Sequence, residues 1–126
     1  MKTIVLIALS VLVLCGAGLY VLLSPAEVYG EPFKIRSLTS LREIVGQPDR
    51  YLTADLRTSG RIVRQCPSSG CWFFLDDGSG GQVRVELGHL GMKFPQHVGG
   101  TAIVEGRLMK DASGLELVGN GVRFER

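Results

Sequence analysis

The sequence predicts an all-β fold, a small five-stranded barrel with a short leading helix, preceded by an N-terminal transmembrane helix. Three observations predict it. Residues Ile4 to Leu23 are almost wholly apolar and uncharged. From Leu56 onward, short apolar–polar alternations recur between glycine-rich turns, the pattern of strands with one face in a core and one in water. Five short strands with glycines at their bends are what a small closed barrel needs.

The chain divides into 1–26 (signal anchor), 27–37 (tether) and 38–126 (barrel domain). Only Ser10, Gly16, Gly18 and Tyr20 break the apolar run, and about twenty helical residues span about 30 Å, the thickness of a bilayer core. The first reading is an uncleaved single-pass anchor in the cytoplasmic (inner) membrane. Lys2 stays inside, and the domain faces the periplasm or cell exterior. The alternative is cleavage near Ala26, where Ser24-Pro25-Ala26 offers small residues to a signal peptidase and releases the domain to the periplasm. Lipidation of Cys15 is disfavoured by the bulky Leu14 before it. All these readings export the remainder.

That remainder holds thirteen Lys/Arg and twelve Asp/Glu, since Lys2 is the only charge upstream of Glu27. Near-neutrality is not the balance of a protein that grips a phosphate backbone. Glu27 to Ile35, with Gly30 and Pro32, reads as a tether. Ser40-Leu41-Arg42-Glu43 fits a capping box opening a helix of about two turns. Leu41, Ile44 and Val45 are its apolar face, and Gly46 and Pro48 end it.

Five strands follow, at Leu56–Gln65, Cys71–Asp76, Gln82–Leu87, Thr101–Met109 and Leu115–Phe124. Asp77 to Gly81 and Asp111 to Gly114 are hairpin turns. Gly88 to Gly100 is a connector, too polar and glycine-rich for a strand. Val83, Val85 and Leu87 share one face of the third strand, and Ala102, Val104, Gly106 and Leu108 one face of the fourth. The fifth offers Leu115 and Leu117, then Val122 and Phe124, a change of phase that predicts a bulge near Gly119-Asn120-Gly121.

This order, with Gly60 in the first strand, Phe73-Phe74-Leu75-Asp76-Asp77-Gly78-Ser79-Gly80 and Val104-Glu105-Gly106-Arg107-Leu108, resembles an OB-fold of the anticodon-binding type. Cys66 through Gly70-Cys71-Trp72, followed by Phe94-Pro95, more closely resembles an exported bacterial OB-fold family of unknown function with a Cys…Gly-Cys-Trp signature. The likeness covers Leu38 to Phe124, and Pro67 departs from the polar residue expected after the first cysteine. It implies an OB-like fold and transfers no activity.

Cys66 and Cys71 enclose four residues. Outside the cytoplasm, neighbouring thiols are usually oxidised, and a disulfide closing so small a loop stabilises by about 2 kcal/mol. A structural disulfide is the first expectation. The alternative is a metal or haem role in which His89 and His97 complete the ligand set with Cys66 and Cys71. Separately, His89, Met92, His97 and Met109 offer soft or imidazole donors for copper or haem iron, against the plainer reading of exposed histidines and core methionines. A thioredoxin-like couple would need two intervening residues, not four, and two unpaired buried thiols are the remaining reading.

Alternation places Trp72 and Phe74 on the outside of the barrel, the side on which OB-folds bind ligands. Arg57, Arg61, Arg64 and Arg84 are expected nearby. Aromatic rings beside arginines describe a single-strand nucleic-acid site. The bland alternative packs Trp72 under the leading helix and leaves the arginines as a solvated face. Asp76 and Asp77 are turn residues, Ser68 and Ser69 have no general base in view, and no catalytic set or cofactor is implied. The functional expectation is a non-catalytic, membrane-tethered binding or accessory module of unknown ligand, with an envelope protein complex as the expected partner. A single-strand nucleic-acid-binding protein and a metal or haem handling protein are the alternatives.

Overall fold

The computed structural model describes residues 1–23 and 26–125. Ser24 and Pro25 of the expected cleavage motif lie outside the described residues. Helix α1, Lys2–Leu23, contains a stretch from Lys2 to Tyr20 that is long and apolar enough to cross a membrane.

Strands β1 (Glu27–Gly30), β2 (Asp55–Gln65), β3 (Trp72–Asp76), β4 (Gln82–Glu86), β5 (Thr101–Asp111) and β6 (Gly114–Glu125) form one sheet in the order β1-β6-β4-β3-β2-β5. Pairing of β5 with β6 closes β2 to β6 into the expected five-stranded barrel. All pairings are antiparallel except β4 with β6. Along one edge, β6 pairs with β4 through Glu116–Val118 and with β1 through Gly121–Phe124. The added strand β1 therefore continues the sheet beyond the end of β4.

The core is filled by the residues that alternation selects. Ile62, Phe73, Leu75, Val83, Val85, Leu87, Val104, Leu108, Leu117 and Val122 are fully buried. The predicted bulge is present: Glu105 pairs with Gly121 and Gly106 with Gly119, so Asn120 is the extra residue. Helix α2, Leu41–Gly46, buries Leu41 and Ile44 against the barrel. Its capping box does not close. Ser40 sits at the cap without a side-chain hydrogen bond, and the Glu43 carboxylate accepts from the Tyr51 hydroxyl at 3.1 Å instead.

Residues 27–37 were expected as a tether, and here the structure differs. Glu27–Gly30 is strand β1, and the next residues strap across the barrel. The Glu105 carboxylate accepts the backbone N–H of Lys34 at 3.0 Å and of Ile35 at 2.9 Å. Arg57, paired with Glu105 across β2 and β5, donates from Nη1 to the Ile35 carbonyl at 2.8 Å and lies 4.8 Å over the Phe33 ring. The strap covers Glu105, on the outward phase of β5, leaving it 9% exposed. Hydrogen bonds to a charged acceptor contribute about 1.5–3 kcal/mol each. Glu105→Ala is therefore expected to cost about 2 kcal/mol and to expose 31–37 to proteolysis, read from the thermal midpoint and the cleavage pattern of the full chain in detergent.

Candidate ligand face on the barrel

Strand β3 runs along the middle of a four-strand surface, with β2 on one side and β4 then β6 on the other. Its inward residues Phe73 and Leu75 are fully buried, so Trp72, Phe74 and Asp76 face outward, each half-buried. Register then decides their neighbours. Phe74 stands opposite Arg64 and Arg84, Trp72 opposite Glu86, Asp76 opposite Arg61 and Gln82, and Arg84 opposite Glu116. Arg64, Phe74, Arg84 and Glu116 thus form one row across four strands.

The rings of Trp72 and Phe74 meet edge to face with centroids 6.0 Å apart, a favourable orientation for aromatic quadrupoles. The Arg64 guanidinium lies 4.3 Å over Phe74 and 5.8 Å over Trp72, and that of Arg84 lies 5.6 Å over Trp72. Such cation–π contacts contribute about 0.5–1 kcal/mol each where exposed. Arg84 is also held by carboxylates, with Nη2 3.0 Å from Glu86 Oε2 and Nη1 bonded to Glu116 Oε2. Its charge is already matched within the protein.

Of the four arginines expected near the rings, the structure brings Arg64 and Arg84 to them. Arg61 shares the outer face one row further on, opposite Asp76. A bulge between Ile62 and Arg64 puts both arginines outward despite their spacing of three. Arg57 is not part of this face: β3 pairs only with Arg61–Gln65 of β2, and Arg57 serves the strap instead. The acidic members of the face, Glu86 and Glu116, carried no functional expectation in the sequence; only their strand register reveals them.

The cysteines flank this surface. Cys66 and Cys71 are both free thiols, and the expected disulfide is not formed. The reason is phase. Cys66 N–H donates to the Trp72 carbonyl, which places Cys66 opposite Trp72 on the outer side. Leu87 N–H donates to the Cys71 carbonyl, which places Cys71 opposite the inward-facing Leu87. Neighbouring positions in an extended chain point to opposite faces. Cys66 Sγ instead lies 3.3 Å from Ser68 Oγ and 3.7 Å from Ser69 Oγ. The Ser68 hydroxyl, followed by the Ser69 and Ser68 amides and the Ser69 hydroxyl, lowers the Cys66 pKa to about 6.

The set Cys66, Cys71, His89 and His97 is not assembled. His89 is exposed on the Gly88–Leu90 turn, while His97 Nε2 is 3.2 Å from Glu27 Oε2 and its ring stacks on Phe124 at 4.5 Å. Among the described residues, no three His, Cys, Asp or Glu side chains converge as a metal cradle would require. Met92 and Met109 are both exposed. A cleft of about 570 Å³ lies at the far end of β3, between Leu38–Arg42 and Asp76–Asp77. It is lined by no aromatic ring.

No protein-family model matches the chain, and no curated protein matches it. Among solved structures, it is similar to a protein described as an aspartyl-tRNA synthetase from Leishmania major Friedlin, with a TM-score of 0.53 and 15% identity. The match covers 80% of this chain and 22% of that protein. At that identity the likeness shows the fold alone, an OB-like barrel.

Proposed function

We propose that this chain is a non-catalytic, membrane-tethered OB-fold binding module whose Trp72 face docks a protein partner in the cell envelope. The observation that carries this reading is the Trp72–Phe74 pair bracketed by Arg64 and Arg84. Tryptophan and arginine dominate the energetic centres of protein interfaces, and phenylalanine is enriched there. The apolar helix α1 supports the tether, with the added strand β1 of the sheet beginning at Glu27, four positions after the helix ends. The Cys66…Gly70-Cys71-Trp72 resemblance to exported bacterial OB-fold proteins supports placement outside the cytoplasm.

Charge favours a protein over a nucleic acid. On this face Arg61, Arg64 and Arg84 are offset by Asp76, Glu86 and Glu116, and Arg84 is bonded to two of the three. A single-strand site needs cations free to displace counterions from phosphates. The test is isolation of the full chain from native membranes, paired with titration of the purified chain by a single-stranded oligonucleotide at low salt. A stoichiometric protein partner with no salt-dependent oligonucleotide binding is the expected result. Salt-dependent oligonucleotide binding that disappears in Trp72→Ala would establish the nucleic-acid reading instead.

A further inference from the structure

The turn between β2 and β3 carries chemistry that the docking face does not use. We propose that Cys66 and Cys71 are a reversible dithiol–disulfide couple that reacts with organic disulfides, Cys66 attacking and Cys71 resolving. This inference concerns a different site and does not depend on the docking reading.

Four observations carry it. Both chain neighbours of Cys71 are hydrogen-bonded to the backbone of Cys66: Gly70 N–H donates to the Cys66 carbonyl at 3.0 Å, and Cys66 N–H donates to the Trp72 carbonyl at 2.9 Å. The two cysteines are therefore held close, and only the direction of their side chains keeps them apart. Secondly, Cys66 Sγ sits against two serine hydroxyls in a turn that Gly70 closes at φ +66°. Thirdly, this turn is clamped to the connector that follows β4. Phe94 N–H donates to the Ser69 carbonyl at 2.8 Å and Gln96 Nε2 to the Cys66 carbonyl at 2.8 Å. Fourthly, the turn is at the surface, with Pro67 and Ser68 exposed and Cys71 half-buried, while Cys66 itself is buried at 8% exposure next to exposed Pro67.

The chemistry balances with one organic disulfide as oxidant. The Cys66 thiolate attacks one sulfur of that disulfide, whose S–S bond breaks and releases the first thiolate, which takes up a proton. Cys71 then loses its proton to solvent and attacks the Cys66 sulfur, displacing the second thiolate. Two protein thiols are oxidised, and one disulfide is reduced to two thiols. Attack rate depends on the thiolate fraction, and leaving ability rises as the thiol pKa falls. The hydrogen bonds that lower the Cys66 pKa to about 6 thus favour attack near neutrality and ease reopening of the bond. They stabilise the reduced form, so the couple is a labile one and not a permanent staple. Closing the bond requires Cys71 to turn toward the Cys66 side.

The test uses the full chain in detergent in a Cys15→Ser background, fully reduced and then given glutathione disulfide near neutral pH. Mass spectrometry is expected to show an internal Cys66–Cys71 bond without retained glutathione. Cys71→Ser should stall as a glutathione adduct on Cys66. Ser68→Ala, a surface change that leaves both thiols in place, should slow the reaction at least about threefold near pH 7, because the Cys66 pKa rises, and little near pH 9. Two persistent free thiols, separate adducts on both cysteines, or an unchanged Ser68→Ala rate near pH 7 would each overturn the proposal.

Discussion

Gly106→Ala is expected to destabilise the barrel by about 3 kcal/mol or more, among the largest single-residue effects available in this chain. Gly106 lies on β5 where the barrel closes against β6. A methyl group there would meet the Val118 carbonyl oxygen at 2.2 Å and the Gly119 Cα at 2.8 Å. Both are backbone atoms of the bulged segment, and neither can step aside as a flexible side chain would. The bulge around Asn120 and the glycines flanking it are therefore one device that brings β5 and β6 into contact. Gly46, at the end of α2, is the matched control, since a Cβ there meets nothing within 4 Å. Trp72 is the only tryptophan in the chain, so its fluorescence follows barrel unfolding in both variants. Gly46→Ala should leave the urea midpoint within the range of ordinary surface changes. Equal midpoints for the two variants would remove the bulge from the account of closure.

Trp72→Ala is the second large effect, on binding and not on the fold. Truncation of a central interface tryptophan costs about 2–4 kcal/mol, on the order of 30- to 1,000-fold in affinity. The barrel itself should tolerate the change, because Trp72 lies outside the core formed by Phe73, Leu75 and their neighbours. Met109→Ala, on an exposed position of β5, should leave affinity for the same partner unchanged. The expected pattern is a lost partner with a retained, cooperative thermal transition. Loss of the transition together with the partner would instead make Trp72 a packing residue.

The barrel was legible in the sequence because period-two alternation reports burial directly. Val83, Val85 and Leu87 are buried as that pattern requires, and the phase change at Gly119–Gly121 marks a true bulge. Strand β1 and its strap were not legible. The partner of β1 is β6 and those of the strap are Glu105 and Arg57, all distant in the chain, and a four-residue strand is too short to show a period. The site was half legible. Alternation turned Trp72 and Phe74 outward, but the bulge that lets Arg61 and Arg64 share a face leaves no mark in residue spacing. Spacing also cannot say on which side of an extended chain two cysteines lie. The Cys66–Cys71 disulfide was expected from proximity, and the structure holds both as free thiols directed to opposite faces. The Ser40–Glu43 capping box shows the same limit, since Tyr51 competes for the glutamate.

The central claim is that the outer face of β3 and β4 is where this module holds its partner. The most direct measurement is photo-cross-linking in intact membranes, with a photoreactive side chain at Phe74 in one sample and at Met109 in another. The account predicts a discrete protein adduct from position 74, diminished by Trp72→Ala, and none from position 109. An adduct from position 109 with none from position 74 would contradict it.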